Sequence, residues 1–285
     1  MTTNMPRVWA HRGARAFAPE NTMAAAGVAL EQKAYGWELD VHLTADGQVV
    51  VIHDHGLRRT TDIARQSGMP PRHRHVVPAL TLDQIRRLDA GSWFARRDPF
   101  GTVAAGEVGP EAVAGFAGEP VPTLREALIW TREHGLMVNV EIKDMLGGDD
   151  AGLVAAVGRL IRETGVAGRV LVSSFRPQSL ELLRALSPDL PVGLLLDQKA
   201  LAAPTSEILV HLRALGAKAL HPSIKGLYPG RIAEIRAAGF EVNVYTVNRP
   251  EDVLWLAAEG ATGIITDFPG RTLDVLTANV GMSRE

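Results

Sequence analysis

Charged side chains recur at strand spacing in this 285-residue chain, and their types suit a metal ion and a phosphate ester. Glu38-Leu-Asp40 comes first. Residues two apart on a strand share a face, so both carboxylates point the same way. If that way is inward, the buried like charges need a cation. A hard divalent ion bound through oxygen, Mg²⁺ or Ca²⁺, is the simplest one. The alternative is a solvent-facing Glu and Asp, which a strand covered by helices disfavours. Glu141-Ile-Lys143 repeats the spacing and adds a third carboxylate beside an ammonium. A local salt bridge would account for that pair alone. His11-Arg12-Gly13 follows an apolar run, with an imidazole fit to act as acid, base or ligand and a guanidinium fit to clamp phosphate. The glycine permits a tight turn. A histidine satisfied by local hydrogen bonds is the plainer alternative there. Asp46-Gly47 between apolar runs signals a hairpin that returns His53 and Asp54 toward the same region. Two imidazoles would supply the acid–base pair that displacement at phosphorus needs. Three carboxylates with Arg12 and Lys143 suit a transition state that concentrates negative charge on oxygen.

The elements that must position these groups alternate between short apolar runs and helical periodicity, the pattern of a parallel α/β fold. Strands are predicted at Arg7–Ala10, Gly36–Val41, Leu136–Ile142, Arg169–Ser173, Pro191–Leu196, Lys218–Leu220, Glu241–Tyr245 and Gly263–Thr266. Helices are predicted at Asn21–Gln32, Thr123–His134, Asp150–Glu163, Pro177–Ala185, Ser206–Leu215, Pro229–Ala238, Pro250–Ala258 and Arg271–Ala278. Eight strand–helix pairs favour a TIM (β/α)8 barrel, with the chemistry at the C-terminal strand ends. The strand at Lys218 is the least distinct. From about 55 to 121 the rhythm breaks, with one helix candidate at Leu80–Leu88, which reads as an inserted subdomain after the second strand. The expectation is a single domain over 1–285 carrying that insertion.

A net charge of −2 argues against a nucleic-acid partner, and a small-molecule partner is expected. There is no cysteine, which removes disulfides, thiolate ligands and cysteine nucleophiles. The first residues lack the apolar stretch of a signal peptide, and no run of about 18 apolar residues could span a bilayer. A cytoplasmic protein is the default expectation.

The ordered set Ala10-His-Arg-Gly13, Ala18-Pro-Glu-Asn-Thr22, Glu38-Leu-Asp40-Val41, Thr44-Ala-Asp-Gly47, His53-Asp54 and Arg59-Thr-Thr61 resembles the glycerophosphodiester phosphodiesterase family. The resemblance continues through Leu88–Phe94, Val121–Ala127, Val140-Glu-Ile-Lys143, Ser173-Ser-Phe175, Val242–Asn248 and Gly263–Pro269, so it runs nearly the whole chain. It implies a TIM barrel with a small insertion after the second strand. It also implies one divalent cation and hydrolysis of glycerophosphodiesters to glycerol 3-phosphate and an alcohol through a cyclic phosphate. On that resemblance Glu38, Asp40 and Glu141 are metal ligands, His11 and His53 the acid–base pair, and Arg12 and Lys143 the phosphate holders. Phe175 and Tyr245 are expected to line the substrate pocket; the family often has tryptophan where Tyr245 stands. Residues 98–115 look like extra length, expected to be a disordered surface loop or else a lid.

A lysophospholipase D or sphingomyelinase D-like activity could use the same barrel, and Trp93, Phe94, Phe100 and Phe116 would favour it if they formed a greasy surface. A non-catalytic phosphate-binding barrel is disfavoured because all seven expected residues are present. A zinc amidohydrolase would need His-x-His near the first strand, which His11-Arg-Gly13 does not provide. His73 and His75 read as solvated loop surface. His42 is left outside the site, and His221 is considered for the barrel mouth. Glu20, before the helix cap at Asn21 or Thr22, could hold a site residue in place.

Overall fold

The computed structural model describes residues 5–282, so the first four residues of the segment inspected for a leader lie outside it. Among the described residues nine strands form one sheet in the order β1-β9-β8-β7-β6-β5-β4-β2-β3, and β1 also pairs with β2. They are β1 (Arg7–Ala10), β2 (Gly36–Leu43), β3 (Val49–Val51), β4 (Met137–Ile142), β5 (Val170–Ser174), β6 (Val192–Leu196), β7 (Ala219–Pro222), β8 (Glu241–Val244) and β9 (Gly263–Thr266). All pairings are parallel except β3, which folds back antiparallel on β2 as the predicted hairpin. The other eight strands close into a (β/α)8 barrel.

Helices cross between them: α1 (Met23–Glu31), then α2 (Leu82–Ile85), α3 (Trp93–Arg97) and α4 (Pro110–Gly115) in the insertion, then α5 (Leu124–Glu133) and α6 (Asp150–Thr164). After them come α7 (Pro177–Leu186), α8 (Thr205–Leu215), α9 (Arg231–Ala237), α10 (Pro250–Ala258) and α11 (Pro269–Met282). Local chemistry sets several starts. Thr123 caps α5 with a capping box completed by Glu126, and Thr22, not Asn21, caps α1. Two predicted boundaries move. Pro229 stays outside α9 because Gly230 takes a left-handed φ of 86° before it, and α11 begins at Pro269. The helix expected over Leu80–Leu88 is only the short α2, capped by Thr81.

Alternation divides each barrel strand between two environments. Trp37, Leu39, Val41, Val138, Val140, Ile142, Val170 and Val172 face the helices in the main apolar core. Glu38, Asp40, Asn139, Glu141, His221 and Asn243 are the buried alternates that fill the inside. This outer layer is why the strands read as apolar runs despite a polar interior.

The insertion is ordered and packed. Leu57, Ile63, Leu80, Ile85 and Leu88 form one satellite core with Val50 and Ile52. Trp93, Phe94, Val108 and Phe116 form another against Ala18 and Ala25. Two expectations are thereby corrected. Residues 98–115 are not a disordered loop: Thr102 donates to the Ala16 carbonyl at 2.5 Å, Val108 is buried, and Glu107 pairs with Arg271 at 2.5 Å. Three of the four aromatic residues that a greasy membrane surface required are instead core. Trp93, Phe94 and Phe116 are buried, and Phe100 packs edge-on against Phe268.

Candidate active site at the C-terminal strand ends

Register brings the carboxylates together. Asp40 on β2 stands opposite Glu141 on β4, and Glu38 sits one inward-facing position below Asp40. Each of the three offers an oxygen, and these atoms lie within 4.8 Å of one another. It is the one such cluster among the described residues. Glu38 accepts the Arg12 backbone N–H at 2.9 Å, while its second oxygen is buried without a partner. Burial, then the Asp40 and Glu141 carboxylates, push the Glu38 carboxyl well above its usual range. Burial and Asp40 likewise raise Glu141. Burial also opposes ionisation of Asp40, but Lys143 and Arg12 outweigh it and hold Asp40 below the carboxylate range. An orphaned buried oxygen among crowded carboxylates, all of them hard donors, fits a divalent cation.

Two cations border this cluster. Lys143 Nζ lies 2.6 Å from Glu141 and 3.3 Å from Asp40, and the two carboxylates hold its ammonium protonated despite burial. Arg12 Nε lies 3.3 Å from Asp40, and its Nη1 donates to Glu20 at 2.8 Å. Arg12 adopts a left-handed φ of 56°, which is costly for a residue with a side chain. In this turn its N–H donates to Glu38. Gly13 follows at φ 78°, where a Cβ would come within 2.6 Å of Ala25, so only glycine lets α1 approach this turn.

Each histidine forms a pair with an aspartate. His11 Nδ1 donates to Asp267 at 2.7 Å, and His53 Nδ1 donates to Asp54 at 2.7 Å. Burial first, then the Arg12 charge, lower His11 to about 4 in spite of Asp267. Its imidazole is therefore neutral near pH 7, with Nε2 carrying a lone pair. Asp267 also accepts from Arg15 Nε at 2.6 Å and Asn248 Nδ2 at 2.6 Å. Asp54 is held by Arg59 through bonds of 2.6 and 3.0 Å.

His11, Arg12, Glu38, His53, Glu141, Lys143, Phe175 and Tyr245 line one cleft of about 130 Å³, floored by Asn139, Leu195 and Ile265. Asp40 lies just beneath this surface. Phe175 and Tyr245 meet edge to face with centroids 5.9 Å apart, and the Tyr245 hydroxyl donates to the Leu196 carbonyl at 3.1 Å. All nine residues singled out from the sequence thus converge on one place.

Other histidines resolve differently. His221 points into the barrel interior below the cleft rather than reaching its mouth. It sits beside Asn243, where Gly193 leaves room; a Cβ there would fall 2.7 Å from its Nε2. Burial alone lowers it to about 3. His73 is exposed, as expected of loop surface, but His75 is not solvated: it is buried and bonds the Pro70 carbonyl at 2.9 Å. His42, left out above, donates through Nε2 to the His53 carbonyl at 3.1 Å. Sequence reasoning also missed Asp267, Arg15 and Asn248. The only signal was their place at strand ends and in the motifs containing Thr266-Asp267 and Val247-Asn248.

The sequence matches the Glycerophosphoryl diester phosphodiesterase family over residues 11–271. A glycerophosphodiester phosphodiesterase of Bacillus subtilis is 33% identical over 91% of this chain and 83% of its own length. Another from Caldanaerobacter subterraneus is 34% identical over 94% of this chain and 97% of its own. An Oleispira antarctica phosphodiesterase, solved with the product sn-glycerol-3-phosphate, superposes with a TM-score of 0.79 at 28% identity, covering 96% of this chain and 97% of that one. Barrel, cleft and relatives define a phosphoric diester hydrolase. The chain belongs to the glycerophosphoryl diester phosphodiesterase family.

Proposed function

We propose that the cleft hydrolyses glycerophosphodiesters to glycerol 3-phosphate and an alcohol, with His11 and His53 as the acid–base pair. The observation that carries this reading is that two aspartate-backed imidazoles open into one cleft around a three-carboxylate cluster. Glu38, Asp40 and Glu141 would hold one Mg²⁺ or Ca²⁺. When bound, that ion would offset charge on a phosphate oxygen and make a neighbouring glycerol hydroxyl more acidic.

Arg12 and Lys143 hold the phosphate from two sides, and Phe175 with Tyr245 walls the cleft against bulk water. One imidazole takes the proton of the glycerol hydroxyl next to the phosphodiester as its oxygen bonds to phosphorus. The other gives a proton to the departing alcohol oxygen as its bond to phosphorus breaks. The product of this step is a cyclic phosphate. In the second step the proton roles reverse: one imidazole takes a proton from water as its oxygen bonds to phosphorus, and the other protonates the glycerol oxygen as the ring P–O bond formed in the first step breaks, giving glycerol 3-phosphate. The working unit is the whole chain, 1–285, as one domain with the insertion at about 55–121 supplying Arg59. A cytoplasmic setting and a small-molecule substrate are part of the same reading, and cell fractionation tests the first.

The deciding experiment is coupled detection of glycerol 3-phosphate from a panel of glycerophosphodiesters, with chelator and with Mg²⁺ or Ca²⁺ restored. Release that chelator abolishes and metal restores is expected. Choline released from lysophosphatidylcholine but not from glycerophosphocholine by folded, metal-loaded protein would move the assignment to a lysophospholipase D.

A further inference from the structure

Glu20 is a buried carboxylate that none of the roles above uses. It lies in the turn before α1, in Pro19-Glu-Asn-Thr22, where its two following neighbours each have a task. Thr22 caps the helix, and Asn21 donates to Asp40 at 2.8 Å. Three arginines converge on Glu20. Arg12 donates to Oε1 at 2.8 Å; Arg59 donates to both oxygens at 2.9 and 2.7 Å; Arg15 Nη1 stands 3.7 Å from Oε2. Burial opposes its charge, but Arg59, Arg12 and Arg15 outweigh burial and lower it to about 2.

Those arginines lead in three directions. Arg15 bonds Asp267, which holds His11. Arg59 bonds Asp54, which holds His53. Arg12 reaches the phosphate side of the cleft. A continuous chain, His11–Asp267–Arg15–Glu20–Arg59–Asp54–His53, therefore runs from one imidazole to the other with Glu20 at its centre. Three guanidinium groups face three carboxylates, so the unit balances in charge. Without the central carboxylate, Arg12, Arg15 and Arg59 would keep only their outer partners Asp40, Asp267 and Asp54, and nothing would join them.

We propose that Glu20 is the positioning residue that joins both histidine–aspartate pairs and the Arg12 clamp into one rigid unit. This rests on the proposed roles of His11, His53 and Arg12. Glu20→Gln keeps the shape but removes the charge and one acceptor, letting all three arms relax together. A displacement near 1 Å in a reacting group costs on the order of 10²-fold in rate.

The test uses the full-length, metal-loaded enzyme with Glu20→Gln, Arg15→Met, Arg59→Met and the Arg15→Met/Arg59→Met double variant. Arg125→Met, in an exposed ion pair with Glu163, is the control. Glu20→Gln should lower kcat by about 10²-fold with a smaller change in KM. In ¹⁵N-histidine spectra at neutral pH, it should move the imidazole signals of both His11 and His53 while surface His211 stays. Arg59→Met should move His53 first. The Arg15→Met/Arg59→Met pair should be non-additive, because the two arms meet only through Glu20. A folded Glu20→Gln enzyme with wild-type kcat, or one in which only one of the two signals moves, overturns the proposal. Should Glu20→Gln not fold, additivity in the arginine pair overturns it instead. If the wild type releases no glycerol 3-phosphate, the proposed reaction fails while the spectra still judge the hub.

Discussion

The two histidine–aspartate pairs are made of the same residue types at the same 2.7 Å separation, yet the chain builds them in opposite ways. His53 and Asp54 are adjacent in sequence, follow the β3 hairpin, and are each 30% exposed. His11 and Asp267 are 256 positions apart, and Asp267 is only 2% exposed. The local pair owes its geometry to a hairpin and to Arg59; the distant pair owes it to the meeting of β1 and β9. A short hydrogen bond thus conveys little about how firmly a side chain is held. What differs is how many other contacts would have to move with it.

The largest expected effects remove the imidazoles. His11→Ala and His53→Ala should each lower kcat/KM by roughly 10²- to 10⁴-fold, read as glycerol 3-phosphate release. Near-wild-type turnover from either variant would end the assignment of that pair. Next come the aspartates, where the pairs should separate. Asp267→Asn should cost about 10²-fold and Asp54→Asn about tenfold, because only the first disturbs a buried partner that also anchors Arg15 and Asn248. Equal losses would show that burial does not set the difference.

A third contrast lies in stability against pH. The folded His11 value near 4 is below the 6.5 of the unfolded chain, so between these values the unfolded state binds the extra proton. Stability conferred by neutral His11 is therefore present above about pH 6.5 and is lost as pH falls toward 4, by at most about 3 kcal/mol. Urea unfolding of wild type and His11→Gln should converge across that window; parallel curves would refute it. The smallest effect on turnover is expected from His221→Asn. Its imidazole lies outside the cleft and is lowered to about 3 by burial alone. That variant should keep its activity and gain relative stability as pH falls below about 6.5. A large loss of turnover would instead place His221 in the chemistry.

The same contrast explains what could be read from sequence. Eight apolar runs announced the barrel because their outward residues pack under helices. Glu38, Asp40, Glu141 and Lys143 announced the cluster because strand spacing alone puts each pair on a face. His53-Asp54 was legible as neighbours. Asp267 was not assigned to His11, since nothing local links positions that meet only on closure. Glu20 was read as able to hold a site residue in place, but which residues it holds, and the part of Arg59, show only once the insertion has folded over the turn before α1. The stretch 98–115 misled for a related reason. Its small, bland residues look unstructured alone, but Thr102, Val108 and Glu107 find partners in segments before β2 and after β9.

The seam between β1 and β9 has a consequence for the life of the chain on the ribosome. His11 is made 256 residues before the carboxylate that orients it. Everything in between must emerge before the two can meet. A nascent chain that already carries the acidic cluster and the His53 pair would still lack the partner that orients His11. On the proposed role of His11, turnover would begin only when β9 docks on β1, so the appearance of activity would time the closing of that seam.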